Sequence, residues 1–203
     1  GWEVVAVPGL IASKPFFTML ANKQFPAGTF IRTPEQLDYL EEPDIFHDVF
    51  GHIPLLSNQA YANYMQRYGE AGLKALDHKG SKFLARLNWY TIEFGLVKNK
   101  GEIKAYGAGI MSSFGEAKYV FNDPSANWIQ FDIDRVLRTG YYIDDLQATY
   151  FVIDSFESRC SSISSFWIVT RSVAVWTVSV FSLRSTITPL STRPSSRLKI
   201  AMR

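Results

Sequence analysis

The sequence predicts a globular fold of mixed helices and strands, and three observations carry that prediction. Residues 58–75 repeat Tyr61, Tyr64, Met65 and Tyr68 at helical spacing, and residues 81–97 carry Phe83, Leu84, Leu87, Ile92 and Leu96 on one apolar face. Two short runs favour strands, residues 103–106 and Tyr150-Phe151-Val152-Ile153. The 203 residues are 47% hydrophobic and 15% aromatic, enough to enclose a core rich in rings.

In chain order, residues 1–31 read as irregular, because Pro8, Gly9, Pro15, Pro26 and Gly28 interrupt the apolar residues. Pro34 opens a short helix over residues 34–40, with Pro at the first helical position and acids nearby. Asp44 can cap a helix through residues 45–50, which Gly51 and Pro54 stop. The two longer helices follow, then a turn at Lys98-Asn99-Lys100-Gly101, the 103–106 strand, a bend at Gly107 and Gly109, and a helix over residues 114–121. Residues 144–156 fit neither period cleanly, apart from the strand-like run at 150–153. The opening Gly1-Trp2-Glu3 is not a signal peptide and reads as the interior of a longer protein.

Charge divides the chain. Residues 1–157 carry a net −5, whereas residues 158–203 hold seven basic residues, no acid and 12 serines. Such a shift marks a boundary between physically different pieces, here a 1–157 domain that lacks its N-terminal part and an atypical Ser/Arg-rich tail. The overall charge of +2 is too small to argue for nucleic acid or membrane binding, neither is expected as a partner, and the tail's apolar stretch is broken by Arg171. One cysteine, Cys160, permits no internal disulfide and fits a cytoplasmic protein.

Three histidines are present, and two of them, His47 and His52, fall in PDIFHDVFGHIPL, residues 43–55. On a regular α-helix, rings five apart diverge by roughly 140°. A helix ending near Gly51 would let the chain bend and return His52 toward His47. The plainer alternative is a pair of satisfied core histidines. Glu93 lies with Trp89, Ile92 and Leu96 on an apolar stripe, where a carboxylate needs a cation: Arg86, or a metal shared with the histidines. Two imidazoles and one carboxylate suit ferrous iron with open coordination positions, and zinc hydrolysis uses the same ligand types.

Residues 43–55, with WYTIEFGL at 89–96 and IKAYGAGIMSSFGE at 103–116, closely resemble the pterin-dependent aromatic amino acid hydroxylases, the bacterial phenylalanine-hydroxylating members above all. The resemblance covers roughly residues 1–156. It implies a mainly helical α+β basket around a mononuclear iron, and hydroxylation of L-phenylalanine to L-tyrosine by a phenylalanine 4-monooxygenase. Fe(II), a tetrahydropterin and dioxygen would serve it. The implied metal ligands are His47, His52 and Glu93. Leu10, Ile11, Ser13 and Phe16 would hold the pterin, with Asp48 contacting it through water. Arg32 would grip the substrate carboxylate, and Pro43, Trp89, Phe94, Gly109 and Ser112 would line the substrate pocket. Ser112 would also support the first histidine, and Asp44 would act from behind the ligands.

The chain departs from the family at Leu40, where Thr is frequent, and over the tail, for which a frame-shifted or mis-joined reading is the leading explanation. The mobile loop that closes the site in relatives would precede Gly1. Tyrosine and tryptophan hydroxylases share the ligands, and an inactive remnant of the fold is a further alternative. A metal-dependent phosphohydrolase, suggested by the His47-Asp48 pair, would need another His and Asp. The expected partner is a small aromatic amino acid, bound by a monomer.

Overall fold

The structure, a computed structural model of the chain, describes residues 1–37, 42–77 and 80–156. The first thirty residues are regular, contrary to the irregular reading. They form strand β1 (Glu3–Val7), helix α1 (Ser13–Ala21) and strand β2 (Gln24–Gly28), with β2 parallel to β1 and Val5 opposite Pro26. The prolines fit this pattern. Pro15 sits in the first turn of α1, where its missing N–H breaks no ladder, and Pro26 lies in a strand with a single partner.

After a 3-10 turn at Pro34–Gln36, the chain enters a wide π-type turn over His47–His52 and a 3-10 segment over Ile53–Ser57. Helix α2 (Gln59–Asp77) realises the predicted tyrosine face: Tyr61, Tyr64, Met65 and Tyr68 are all buried. It packs along α1, and Gly72 makes the approach possible, because a Cβ there would overlap the Phe17 ring. Helix α3 (Ser81–Asn88) runs into a second wide turn, Trp89–Glu93, and ends there rather than at residue 97.

The cause of the early stop lies at Gly95 and Leu96. A Cβ on Gly95 would collide with the Thr91 carbonyl and the Tyr106 ring, so the backbone turns tightly and Leu96 begins a strand. That strand, β3 (Leu96–Asn99), pairs antiparallel with β4 (Glu102–Ala105). The two-residue loop between them, Lys100-Gly101, has φ of 51° and 85°, the positive values such hairpins require.

Helices α4 (Ala108–Met111) and α5 (Phe114–Asn122) follow, then β5 (Asn127–Gln130), α6 (Ile133–Arg138) and β6 (Thr149–Ile153). The second sheet has the order β4-β3-β6-β5, and β6 runs parallel to both neighbours. Tyr150, Phe151, Val152 and Ile153 are all buried, which explains a continuous apolar run instead of an alternating one. The main core lies among α1, α2, α3 and β6, and a smaller cluster fills the space between the second sheet and α4 and α5. The result is the α+β, mainly helical fold that the resemblance implied. Among the described residues, no helix is long and apolar enough to cross a membrane. Leu40, His78 and the 158–203 tail, with the readings placed on them, lie outside the described residues.

Candidate metal centre and its two cavities

The two wide turns bring three side chains together. The expected bend after Gly51 does not occur; the helical path widens instead. An i→i+5 turn carries residue i+5 back over residue i, so His52 stacks over His47 without any stop in the helix. The Nε2 atoms lie 3.1 Å apart and the rings meet edge to face. Trp89–Glu93 repeats the device: the Phe94 N–H donates to the Trp89 carbonyl at 2.8 Å, and Glu93 swings toward the histidines. Glu93 Oε2 is 3.4 Å from His47 Nε2, and Oε1 is 3.7 Å from His52 Nε2. Ligand atoms of all three residues lie within 4.8 Å of one another.

Arg86, the alternative partner of Glu93, is occupied elsewhere, donating to the Leu137 carbonyl at 2.7 Å. Asp48 stays out of the cluster and accepts the Gly28 N–H at 2.7 Å, so a His-Asp ligand pair of the phosphohydrolase kind does not form.

Each group has an identifiable support. His47 Nδ1 is 2.8 Å from Ser112 Oγ. When Nδ1 carries the proton and donates it there, Nε2 presents its lone pair to the cluster. Asn88 donates to Glu93 Oε1 at 3.2 Å. Behind the second turn, Thr91 Oγ1 donates to the Leu87 carbonyl and accepts from the Tyr64 hydroxyl at 2.9 Å. Gly51 lets α4 close on the first turn, since a Cβ would stand 2.6 Å from that of Ala108.

Burial would raise the Glu93 carboxyl, but the imidazoles of His52 and His47 and the Asn88 amide hold it down at about 2. Burial pushes His52 down to about 4. In His47 the same burial is outweighed by Glu93 and Asp48, and its pKa rises. His52 Nδ1 is buried without a hydrogen-bond partner among the described residues. Two imidazole nitrogens and a carboxylate thus converge where their lone pairs repel unless a cation lies among them. This donor set fits a divalent metal with open positions.

Two cavities meet at this cluster. The smaller, about 210 Å³, is lined by Leu10, Ile11, Phe16, Phe25 and Asp48 together with all three clustered residues. The larger, about 630 Å³, is lined by Arg32, Trp89, Phe94, Gly109, Ser112 and the 143–147 segment. Leu10, Pro43, His47, Asn88 and Glu93 belong to both. Of the residues singled out in the sequence, Ser13 lines neither cavity; it opens α1 and is exposed.

Arg32 and Asp44 form a buried pair at the edge of the larger cavity. Asp44, fully buried, accepts from Arg32 Nε at 2.9 Å and Nη2 at 2.7 Å, and from the backbone N–H groups of Arg32 and His47. Burial opposes the charge on Asp44, yet these donors hold its carboxyl at about 2. Asp44 is therefore both the cap foreseen for the turn and the partner of Arg32. Arg32 Nη1 donates to the Ser112 carbonyl, which leaves two of the five guanidinium N–H groups for a ligand. Glu116, Gln147 and Asn88 belong to the site and were missed. Glu116 closes the third resembling block, whereas Gln147 falls in the stretch without a clear period and carried no signal.

An α+β chain that folds two wide helical turns around a two-histidine, one-carboxylate cluster between adjoining cavities has the architecture of a mononuclear metal enzyme. The family model for biopterin-dependent aromatic amino acid hydroxylases matches residues 1–179, and the chain belongs to that family. The phenylalanine-4-hydroxylase of Caulobacter vibrioides is 57% identical over 158 residues, 78% of this chain and 54% of that protein. The fold is similar to that of Chromobacterium violaceum phenylalanine hydroxylase with bound iron(III) and 7,8-dihydrobiopterin: TM-score 0.77, 50% identity, 79% of this chain and 59% of the other. The iron- and phenylalanine-bound structure of the same protein gives a TM-score of 0.75 and 47% identity, over 79% of this chain and 58% of the other. The chain spans about half the length of the curated relatives it matches. The family match continues past residue 157, where the charge pattern changes.

Proposed function

We propose that this chain is the centre of a phenylalanine 4-monooxygenase, converting L-phenylalanine to L-tyrosine with dioxygen, Fe(II) and a tetrahydropterin. The meeting of two cavities at His47, His52 and Glu93 carries this reading. Hydroxylation of an aromatic ring with a pterin as reductant needs room for both molecules beside one metal, which two adjoining cavities provide. When bound, iron and reduced pterin supply the dioxygen activation that protein side chains cannot.

His47, His52 and Glu93 hold the metal. In the smaller cavity, Phe16 stacks against the pterin ring, Leu10, Ile11 and Phe25 enclose it, and Asp48 reaches it through water. In the larger cavity, the free edge of the Arg32 guanidinium binds the substrate carboxylate in a charge-assisted pair. Asp44 keeps that guanidinium in place, and Ser112 orients both Arg32 and His47. Pro43, Trp89, Phe94 and Gly109 form the walls that direct the ring toward the metal and exclude water.

The test incubates the chain with ferrous iron, a tetrahydropterin and each of phenylalanine, tyrosine and tryptophan. Tyrosine formed from phenylalanine in preference to the other reactions supports the reading. Preference for tyrosine or tryptophan assigns the chain to another activity of the family, and pterin-dependent oxygen uptake that no amino acid stimulates refutes a hydroxylase role. We further propose a cytoplasmic monomer with a catalytic piece over 1–157 and a physically distinct 158–203 tail. Sedimentation at the mass of one chain and native proteolysis confined to the tail are the expected results.

A further inference from the structure

The wall role given to Trp89 in the larger cavity does not say what holds its ring in place. Trp89 presents its ring there, stacked on Tyr141 at 4.4 Å and tilted against Phe94 at 4.8 Å. Stacking fixes the plane of an indole but leaves it free to slide and rotate within that plane. What fixes the rotation is a hydrogen bond. Trp89 Nε1–H donates to Gln147 Oε1 at 2.8 Å.

Gln147 is only 3% exposed, and the rest of its amide is committed as well. Its Nε2 donates to the Tyr142 carbonyl at 2.7 Å and to the Asp145 carbonyl at 3.0 Å. Its backbone N–H donates to Glu116 Oε1 at 3.2 Å, and that oxygen also accepts from the Tyr150 hydroxyl at 2.5 Å. One primary amide thus makes three bonds, one through its oxygen and two through its nitrogen. No other side chain of this length offers an acceptor at one corner and two donors at the other. Glu116, on α5, and β6, which carries Tyr150, anchor the residue from behind.

We infer that Gln147 is a positioning residue for the aromatic substrate. Its amide joins the Trp89 indole to the loop at residues 142–146, so that ring and loop face the larger cavity as one rigid wall. The inference rests on the proposed activity for its consequence, but not for its geometry. A wall of this kind acts on the fit of the substrate ring. Gln147→Met, close in length and without the amide, should raise the KM for phenylalanine about tenfold while leaving kcat within threefold. Trp89→Phe keeps a ring and removes the donor. In that background Gln147→Met should add less than twofold, because the bond through which it acts is already gone.

A direct readout needs no activity. In nitrogen-15 NMR spectra of the full chain, the Trp89 indole N–H is assigned by its disappearance in Trp89→Phe. It should exchange with solvent at least tenfold more slowly than an indole N–H in a random chain, and Gln147→Met should abolish that protection while the signals of the other tryptophans stay in place. Solvent-rate exchange of the Trp89 indole in the unsubstituted chain overturns the inference, even if Gln147→Met does not fold. So does unchanged protection in Gln147→Met, or independent multiplication of the two KM effects. If the unsubstituted chain hydroxylates no aromatic amino acid, the proposed activity falls, and the indole exchange still decides the role of Gln147.

Discussion

Asp44→Asn tests how Arg32 is held. Asp44 is fully buried and the Arg32 side chain is 7% exposed, so Asp44 has no water to fall back on and Arg32 has it only at its cavity edge. Oδ2 accepts the Arg32 N–H and Nε–H, and Oδ1 accepts Arg32 Nη2–H and the His47 N–H. Asparagine retains one oxygen. Whichever oxygen becomes an NH2 group, two donors lose their acceptor and face another donor, while the guanidinium charge stays buried without its counter-ion. Breaking a buried pair in this way costs about 3–5 kcal/mol, a large share of the roughly 5–15 kcal/mol that holds a domain together. Urea unfolding followed by circular dichroism at pH 7 should register that loss. A loss below about 1 kcal/mol, the level of an exposed pair, would refute the view that Asp44 holds Arg32.

Four further outcomes are expected. Ser112→Ala removes the partner of His47 Nδ1 and should weaken ferrous iron binding by roughly 10–100-fold; calorimetric titration giving the original affinity would remove Ser112 from that role. His52→Ala should abolish iron binding with the far-ultraviolet spectrum intact, and stoichiometric iron in the variant would refute its assignment as a ligand. Arg32→Lys replaces a planar fork by a point charge and should raise the KM for phenylalanine, whereas an unchanged KM would place the substrate carboxylate elsewhere. Burial pushes the Glu116 carboxyl up, only partly offset by the Tyr150 hydroxyl and the Gln147 N–H. A raised acid favours the fold while protonated, so this contribution is complete below the ordinary 4.5 and is lost as pH rises through the higher folded value. Glu116→Gln should therefore flatten the decline of thermal stability on the alkaline side of pH 4.5, and an unchanged slope would contradict the assignment.

Particular residues explain what could be read from the sequence. The tyrosine face of α2 was legible because an uninterrupted helix repeats its period over several turns. Glu93 was legible as a carboxylate in apolar surroundings because its near neighbours are apolar, although the helical stripe itself is not realised: Trp89–Glu93 is a wide turn and Leu96 begins a strand. The route by which His52 meets His47 was not. Five-residue spacing on an α-helix separates the rings, and neither Gly51 nor Pro54 distinguishes a stopped helix from a widened one. The β1-α1-β2 unit was hidden by its prolines, which read as breakers but occupy the two settings that tolerate them, a first helical turn and a strand paired on one side. Gln147 was invisible for another reason. Its three bonds depend on Trp89, Tyr142 and Asp145 being brought to one place, and local periodicity encodes no such meeting.

A metal bound between the two wide turns would be a mechanical element of the domain. Each is an irregular stretch of helix, His47–His52 on one side and Trp89–Glu93 on the other, and they belong to distant parts of the chain. An ion held by both, as proposed, would work as a rivet between two strips that otherwise meet through α4. It would stabilise the folded chain by an amount that grows with its concentration relative to the dissociation constant, about 2.7 kcal/mol at a hundredfold excess. The benefit should be local: adding ferrous iron should slow amide exchange in those two turns more than in β5 or α6. Uniform slowing across the chain, or none in the turns, would show that the two strips hold their places without it.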